Sequence, residues 1–167
     1  RAITLRLGRT LLGTRRACCL SRRERLFAKP CSRLVYGDSD LRPGLVVDRF
    51  GDILVVQLAS ATMEQHKDDV LAALIQVIKP SGILLKNDSA ARDAEGLDRY
   101  METAFGMVPG WVDLEDNGVK FHAPVMEGQK TVWIYDHRMN PDPLPPNVNG
   151  KRVLDLMSSL ACWGLQD

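Results

Sequence analysis

The chain contains 167 residues, of which 45% are hydrophobic and 26% are charged, and its formal net charge is +1. This composition excludes disordered and fibrous proteins and provides for one ordinary hydrophobic core or two small ones. No apolar run approaches the roughly 20 residues that cross a membrane, and arginines interrupt the N-terminal stretch too often for a secretory signal. A cytoplasmic protein without membrane contact is therefore expected, and an Arg-rich mitochondrial presequence is the alternative.

The first predicted element is a basic helical arm or linker over residues 1–33. It contains ten Lys and Arg residues against one acid, so the rest of the chain is net acidic. Such an arm suits a polyanion, because Lys and Arg contacts to phosphates release counterions. The alternative is a solvated helix face on which Arg side chains cover apolar surface. The candidate RNA contacts are two arginine pairs: Arg15, Arg16, Arg22 and Arg23.

Residues 34–125 are predicted to form a central α/β domain that opens with a β-hairpin. Apolar residues at 45–47 and 53–56 flank the turn sequence Arg-Phe-Gly-Asp. Gly51 in that turn can adopt a positive φ angle, so the two apolar runs are expected to pair as antiparallel strands.

A helix is predicted next, over residues 60–79. Ser60 or Thr62 can supply its N-cap, and Pro80 and Gly82 end the pattern. The helix is amphipathic, because its apolar residues recur at helical spacing. This apolar face consists of Met63, Val70, Leu71, Leu74, Ile75 and Ile78.

Two short elements are expected after the helix. Residues 82–87 form an apolar run of strand length, which predicts a buried strand. Residues 88–97 are predicted to form a helical turn or short helix that Asp88 or Ser89 opens.

A second hairpin is predicted over residues 111–125. Apolar residues alternate there with acids, and Asn117-Gly118 is the strongest short-range hairpin signal in the chain. Strands, a helix and hairpins within one stretch indicate a compact α/β or α+β unit.

The last part of the chain contains a linker and one apolar strand. Residues 140–150 carry four of the nine prolines, which cannot continue a helix or a central strand. The following Arg-Val-Leu-Asp-Leu-Met has no partner strand in the residues that remain. It is expected to belong to a further sheet, to borrow an edge of the central sheet, or to pair with a second copy, which predicts self-association.

The sequence gives no support for a metal site or a disulfide framework. The four cysteines lack metal-ligand spacing and disulfide density, so free thiols are expected. The three histidines form no pair on one helix, and Glu-Gly-Gln-Lys-Thr at 127–131 lacks the spacing of a phosphate loop. The cysteines are Cys18, Cys19, Cys31 and Cys162, and the histidines are His66, His122 and His137.

Four stretches together resemble a known family. They are RLVYGDSDLRPGLVVDRFGD (33–52), DSAARDAEGL (88–97), EDNGVKFHAPVMEGQKTVWIYDHRMN (115–140) and RVLDLMSSLACWGLQ (152–166). In order and spacing they are similar to the class I S-adenosylmethionine-dependent methyltransferases that make 5-methylcytosine in large-subunit ribosomal RNA. The resemblance implies ribosomal RNA as substrate and partner and S-adenosylmethionine (SAM) as cofactor. It also implies that residues 126–167 begin a Rossmann-like methyltransferase domain.

The resemblance also assigns site residues. The implied cofactor-binding residues are Asp136, Arg138, Asp155, Ser158, Ser159 and Gly164. The turn that holds a Gly-Gly pair in the family has Ala161 and Cys162 here. The family's catalytic cysteine lies further along, so no catalytic residue is assigned, and the chain is expected to be an inactive N-terminal and central portion. The alternatives are a non-catalytic RNA-binding module and a decayed fragment.

Overall fold

The computed structural model describes residue 25, residues 30–116, residues 119–126, and residues 133 and 135. The chain divides into two compact units, and the boundary lies between Val108 and Pro109. The domain assignments 1–33, 34–125 and 126–167 stay predictions.

The first unit contains a mixed five-stranded sheet with the strand order β1-β2-β3-β4-β5. Strands β3 and β4 are parallel, and the other neighbouring pairs are antiparallel. The strands are β1 (Cys31–Tyr36), β2 (Leu45–Phe50), β3 (Ile53–Leu58), β4 (Gly82–Asn87) and β5 (Tyr100–Gly106). The helices are a 3₁₀ helix (Gly37–Asp40), α1 (Ala61–Gln65), α2 (Lys67–Ile78) and α3 (Ala91–Ala94).

The β2–β3 hairpin confirms the prediction made from its turn. Residues 45–50 pair with residues 58–53 in continuous antiparallel register, and Gly51 has a φ of 61°. A positive φ is accessible to glycine at little cost, so this residue allows the tight reversal. The predicted strand at 82–87 is also confirmed, as β4, and all six of its residues are buried.

The predicted helix over 60–79 is divided in two at His66. Ser60 is the N-cap of α1, and its Oγ accepts a hydrogen bond from the Met63 amide at 3.3 Å. Helix α2 ends at Lys79, which has a left-handed φ of 52° just before Pro80. Nothing in the structure explains why the helical backbone is interrupted at His66.

The main core lies between one face of the sheet and helices α1 and α2. Alternate residues of β2, β3 and β4 point to this face, so the buried set has period two in these strands and helical spacing in the helices. The core cluster includes Val47, Leu54, Val56, Leu58, Met63, Val70, Leu74, Ile83 and Leu85. The apolar face predicted for the helix therefore supplies the helical side of this core.

Two details near the end of the first unit differ from expectation. The N-cap of α3 is Ala90, which makes no side-chain cap hydrogen bond, so the prediction of Asp88 or Ser89 as the cap was wrong. Strand β5 was not predicted at all.

The second unit contains a two-stranded sheet formed by β6 (Trp111–Asp116) and β7 (Val119–Pro124). Asp116 pairs with Val119, so two residues connect the strands, as the hairpin signal predicted. Those two residues, 117 and 118, lie outside the described set. One face of the hairpin is buried through Val112, Leu114, Phe121 and Ala123. Trp133 packs against Phe121, with 4.7 Å between ring centroids.

The α/β fold class is confirmed. Three predicted segments lie outside the described residues. They are the basic arm, except for residue 25 and residues 30–33, the linker at 140–150 and the final apolar strand. Among the residues that are described, no helix is long and apolar enough to cross a membrane.

Candidate functional site

The site residues assigned from the resemblance lie outside the part of the chain that the structure describes. These are the cofactor residues Asp136, Arg138, Asp155, Ser158, Ser159 and Gly164, and the RNA contacts Arg15, Arg16, Arg22 and Arg23. Within the described ranges, no group of three or more His, Cys, Asp or Glu side chains is placed to hold a metal ion. Cys31 is buried and makes no disulfide, and the other cysteines are outside the described set.

Two of the stretches that carry the resemblance meet at the end of strand β3. Residues 58–61, which connect β3 to α1, are called the β3 corner here. From the first stretch, the Gly44 carbonyl accepts a hydrogen bond from the Ala59 amide at 2.7 Å. Gly44 has a φ of 80°, and a Cβ atom there would lie 2.5 Å from Ser60 Oγ. Glycine is therefore required at this position both by the backbone angle and by the space available.

The loop that leads to Gly44 is fixed by local hydrogen bonds. The Asp40 carboxylate accepts a hydrogen bond from the Tyr36 amide at 2.7 Å, and the Arg42 amide donates to the Gly37 carbonyl at 2.8 Å. Leu41 lies between them with a left-handed φ of 57°. These contacts give the Gly-Asp-Ser-Asp sequence a definite conformation at the end of β1.

The second stretch reaches the β3 corner through Arg92, whose residue surface is only 2% exposed. One guanidinium nitrogen of Arg92 donates to the Leu58 carbonyl and, at 2.8 Å, to Glu64 Oε2. Its Nε donates to the Asp98 carbonyl at 2.8 Å. A single side chain therefore connects the end of β3, helix α1 and the segment before β5.

Two further residues of this region hold the same corner. The Leu58 amide donates to Asn87 Oδ1 at 2.7 Å, and the Ala61 amide donates to Glu95 Oε2 at 3.2 Å. Both backbone groups of Leu58 are thus bonded to side chains, one at the end of strand β4 and one beyond it. The corner lies at the carboxyl ends of the parallel strands β3 and β4, which is the end of a sheet where α/β proteins commonly bind ligands.

The acid in this network has both carboxylate oxygens occupied. Glu64 Oε1 accepts a hydrogen bond from the Tyr100 hydroxyl at 2.7 Å, and Oε2 accepts from Arg92. Burial alone would raise the pKa of Glu64, but the hydrogen bonds from Arg92 and Tyr100 outweigh it and lower that pKa below its ordinary value. Glu64 is therefore ionised at neutral pH and serves as an acceptor, not as a proton-transferring acid.

The Tyr100 side chain is surrounded by two cations. The Arg92 guanidinium lies 5.0 Å and the Lys67 ammonium 5.5 Å from its ring centroid. Burial and the hydrogen bond to Glu64 raise the pKa of Tyr100, so the hydroxyl stays protonated and donates. A hydrogen bond to Glu102, at 3.0 Å, raises the pKa of Lys67. Among these residues no nucleophile lies next to a free base, so the role of the network is anchoring.

The opposite face of the sheet carries its own buried charges. Arg33 donates from Nε and from one terminal nitrogen to the two oxygens of Asp48, at 2.9 and 3.2 Å. The same guanidinium lies 5.1 Å from the Tyr36 ring centroid. Lys86 is also buried, and this burial lowers the pKa of its amine, while Asp88 opposes the change.

An exposed aromatic pair lies on the hairpin of the second unit. The Trp111 and His122 rings are parallel to within 2°, with 5.0 Å between their centroids. His122 Nδ1 lies 2.7 Å from Asp113 Oδ1. This pair was not predicted, although the two-residue hairpin and the alternation in both strands place Trp111, Asp113 and His122 on one face.

Curated relatives match the chain over most of its length. Ribosomal RNA large subunit methyltransferase I from Photobacterium profundum is 34% identical over 134 residues, which are 80% of this chain and 34% of that protein. The protein of the same name from Tolumonas auensis is 35% identical over 135 residues, with the same two coverages. The chain therefore spans about a third of the length of the curated relatives that it matches. No profile of a known protein family matches it.

Two solved structures share the fold. Each has a TM-score of 0.69 and 20% sequence identity, and the match covers 84% of this chain and 36% of the other. One is a protein from Streptococcus mutans assigned as a SAM-dependent methyltransferase. The other is assigned as a methyltransferase and is complexed with SAH. At this identity the likeness shows a common fold.

Proposed function

This chain belongs to the family of ribosomal RNA large subunit methyltransferase I, and it spans about a third of the length of those proteins. We propose that the protein acts as a SAM-dependent methyltransferase on large-subunit ribosomal RNA. The observation that carries the proposal is 34% identity sustained over 134 residues. The contacts at the β3 corner support it, because they give a physical reason for Gly44, Arg92 and Glu95 in two of the stretches that resemble the family.

The cofactor of the proposed reaction is SAM, which supplies the methyl group. We propose that residues 126–167 begin the cofactor-binding domain and hold SAM through the six residues assigned from the resemblance. The product is expected to be 5-methylcytosine. The described part of the chain is expected to hold its loops in place and to contribute no reacting group, since the Glu64 carboxylate is fully bonded.

The proposed partner is ribosomal RNA, and the proposed location is the cytoplasm. The basic arm is expected to contribute affinity that is independent of RNA sequence, through Arg15, Arg16, Arg22 and Arg23. Replacing these four arginines with glutamine should weaken RNA binding and reduce its salt dependence in filter-binding assays. Unchanged affinity and salt slope would mean that the arm is only a solvated helix.

The activity is tested on the gene product expressed from its complete reading frame. The protein is incubated with SAM labelled in the methyl group and with separated large- and small-subunit ribosomal RNA. Label is expected in the large-subunit RNA only, and digestion followed by mass spectrometry should identify 5-methylcytidine. Another methylated nucleoside would contradict the C5 assignment, and binding of RNA without transfer of label would favour a non-catalytic RNA-binding module.

The 167-residue chain by itself is expected to bind SAM weakly and to transfer no methyl group. The reason is that Ala161 and Cys162 stand where the family has a Gly-Gly pair, and a Cβ atom opposes a positive φ and close approach of a ligand. Titration calorimetry tests this expectation. A dissociation constant in the low micromolar range would contradict it.

A further inference from the structure

The five-stranded sheet has a second buried face, opposite the one that packs on helices α1 and α2. The strand pairing places alternate residues of β2, β3 and β4 on this second face, namely Asp48, Phe50, Ile53, Val55, Leu84 and Lys86. Its four apolar residues are outside the main core cluster, yet each residue of the set is at most 8% exposed. A sheet face that is buried in this way requires a further layer of chain to cover it.

The helices that the structure describes do not supply this cover. Helices α1 and α2 pack on the other face, within the main core cluster. Helix α3 lies at the β3 corner, where Arg92 bonds Glu64 of α1. The first compact unit comprises residues 1–108, of which residue 25 and residues 30–108 are described. The part of this unit that remains is the basic arm.

The basic arm joins the sheet at one edge and is long enough to cross it. Pro30 stands where the arm meets the edge strand β1, and its carbonyl accepts a hydrogen bond from the Gly51 amide at 2.9 Å. Five strands that lie about 4.8 Å apart form a sheet about 20 Å wide. A helix of about 20 residues is about 30 Å long, so one helix of the arm could span all five strands.

The sequence of the arm separates an apolar stripe from a basic ridge when it is placed on a helix. Ala17, Leu20 and Phe27 follow one another at intervals of three and seven residues, which puts them on one side of a helix. The two arginine pairs of the arm repeat at an interval of seven residues and fall on another side. A helix that packs its apolar stripe on the sheet would therefore keep both arginine pairs in solvent.

We propose that the basic arm packs as a helix on the second face of the sheet, with Ala17, Leu20 and Phe27 against the sheet and the arginine pairs toward solvent. The arginines then form a fixed basic ridge on the first unit, where they can contact successive phosphates of an RNA strand. This proposal deepens the proposed function and rests on it for RNA as the partner, whereas the packing of the arm is independent of RNA.

The test measures the reactivity of cysteines placed on the two faces of β3. Val55 and Val56 are adjacent and equally buried, but only Val55 points to the second face. Each is replaced by cysteine in the 167-residue chain with its native cysteines changed to alanine. Both new thiols should react slowly with an aromatic disulfide reagent. The double substitution Leu20→Asp, Phe27→Asp should speed the reaction of Val55→Cys about tenfold and leave that of Val56→Cys unchanged, because only one face opens.

The matched control is Arg16→Asp with Arg23→Asp, which introduces two aspartates at the same interval but on the basic ridge. Both thiols should stay protected in this control, and its RNA binding should weaken. If the apolar-stripe variant leaves Val55→Cys protected, or if the control exposes it equally, the arm does not cover the second face.

Equal acceleration at both positions of β3 would also overturn the proposal, provided that the milder Leu20→Ala with Phe27→Ala gives the same result. The arm would then support the fold as a whole instead of covering one face. A milder variant that exposes only Val55→Cys would support the proposal. The thiol reactions contain no RNA and no cofactor, so failure of the arm packing and failure of the methyltransferase assignment give different results.

Discussion

The β3 corner and the Trp111–His122 pair of the β6–β7 hairpin both combine aromatic and charged side chains, but in opposite environments. At the corner, an arginine, an acid and a tyrosine are bonded to one another and to the backbone, and Arg92 is almost completely buried. On the hairpin, Trp111 stacks on His122 and His122 contacts Asp113, but all three residues are largely exposed. Polar groups that bond one another in the interior define a conformation, whereas those that keep open edges can bond a partner.

The largest effect that separates the two regions is expected from Arg92→Ala. This change removes the buried guanidinium that bonds the Leu58 carbonyl and one oxygen of the Glu64 carboxylate. Loss of these bonds and of the bond to the Asp98 carbonyl should lower the free energy of unfolding by about 3 kcal/mol. Urea denaturation followed by circular dichroism measures the change.

The matched control for this substitution is Arg99→Ala. Arg99 also pairs with a carboxylate, that of Asp93, through two hydrogen bonds, but both side chains are exposed. Little change in stability is expected there, because exposed ion pairs are weak. Equal losses from Arg92→Ala and Arg99→Ala would show that burial of the network does not matter.

The next largest effect is expected from Gly44→Ala. The new Cβ would meet Ser60 Oγ at 2.5 Å and would also have to adopt the φ of 80°. Gly96→Ala is the control, because Gly96 has a φ of 67° with no atom within 4 Å. The backbone angle alone should cost about 1 kcal/mol at both sites, and the clash should add about as much again at Gly44. If both variants lose equal stability, close packing of Gly44 against the β3 corner does not contribute.

Tyr100→Phe should have a smaller effect that depends on pH. The substitution removes the hydroxyl that donates to Glu64, at a cost of about 1 kcal/mol near neutral pH. Because the folded-state pKa of Glu64 is lowered, this hydrogen bond stabilises the fold above the ordinary pKa of 4.5 and its contribution is lost as pH falls through the lower, folded value.

Denaturation of the parent chain and the Tyr100→Phe variant across this acidic range checks the sign. The difference between the two stabilities should shrink as pH falls. A difference that stays constant would mean that the hydroxyl does not interact with the charged form of Glu64.

The smallest change in stability is expected at the exposed Trp111–His122 pair. Trp111→Ala removes an exposed cross-strand contact and should lower the free energy of unfolding by about 0.5 kcal/mol. Urea denaturation followed by circular dichroism measures this change. A loss as large as that of Arg92→Ala would show that the Trp111–His122 pair is structural.

Local signals in the sequence were sufficient for the hairpins and for the apolar face of the helix. The turn residues at Gly51 and the Asn-Gly sequence between β6 and β7 determine the chain reversal within a few residues. Both hairpins were therefore predicted with nearly correct limits. Strand β5 was missed because most of its residues are exposed and its pairing with β4 is irregular between Ile83 and Leu84. An exposed edge strand has neither the apolar run nor the alternation that reveals a buried one.

The role of Arg92 could not be read from its neighbours in sequence. The residue was part of a stretch that resembles the family, but its burial depends on Leu58 and Glu64, which lie 34 and 28 residues away. A cap was expected from Asp88 or Ser89 because those residue types favour helix starts. The polar side chains of this region instead bond residues that are distant in sequence. Asn87 is an example, because its side chain accepts a hydrogen bond from the Leu58 amide.

The bonds at the β3 corner have a consequence for the order of folding. The β2–β3 hairpin closes across one turn, but the Leu58 amide and carbonyl bond to side chains 29 and 34 residues further along the chain. Closing such long loops costs more entropy than forming local contacts, so we expect the corner to complete only after β4 has docked beside β3. Contacts that form after the transition state resist unfolding without speeding folding. In stopped-flow experiments Arg92→Ala should therefore raise the unfolding rate and leave the refolding rate nearly unchanged. The bonds at the β3 corner would then determine how long the folded state persists.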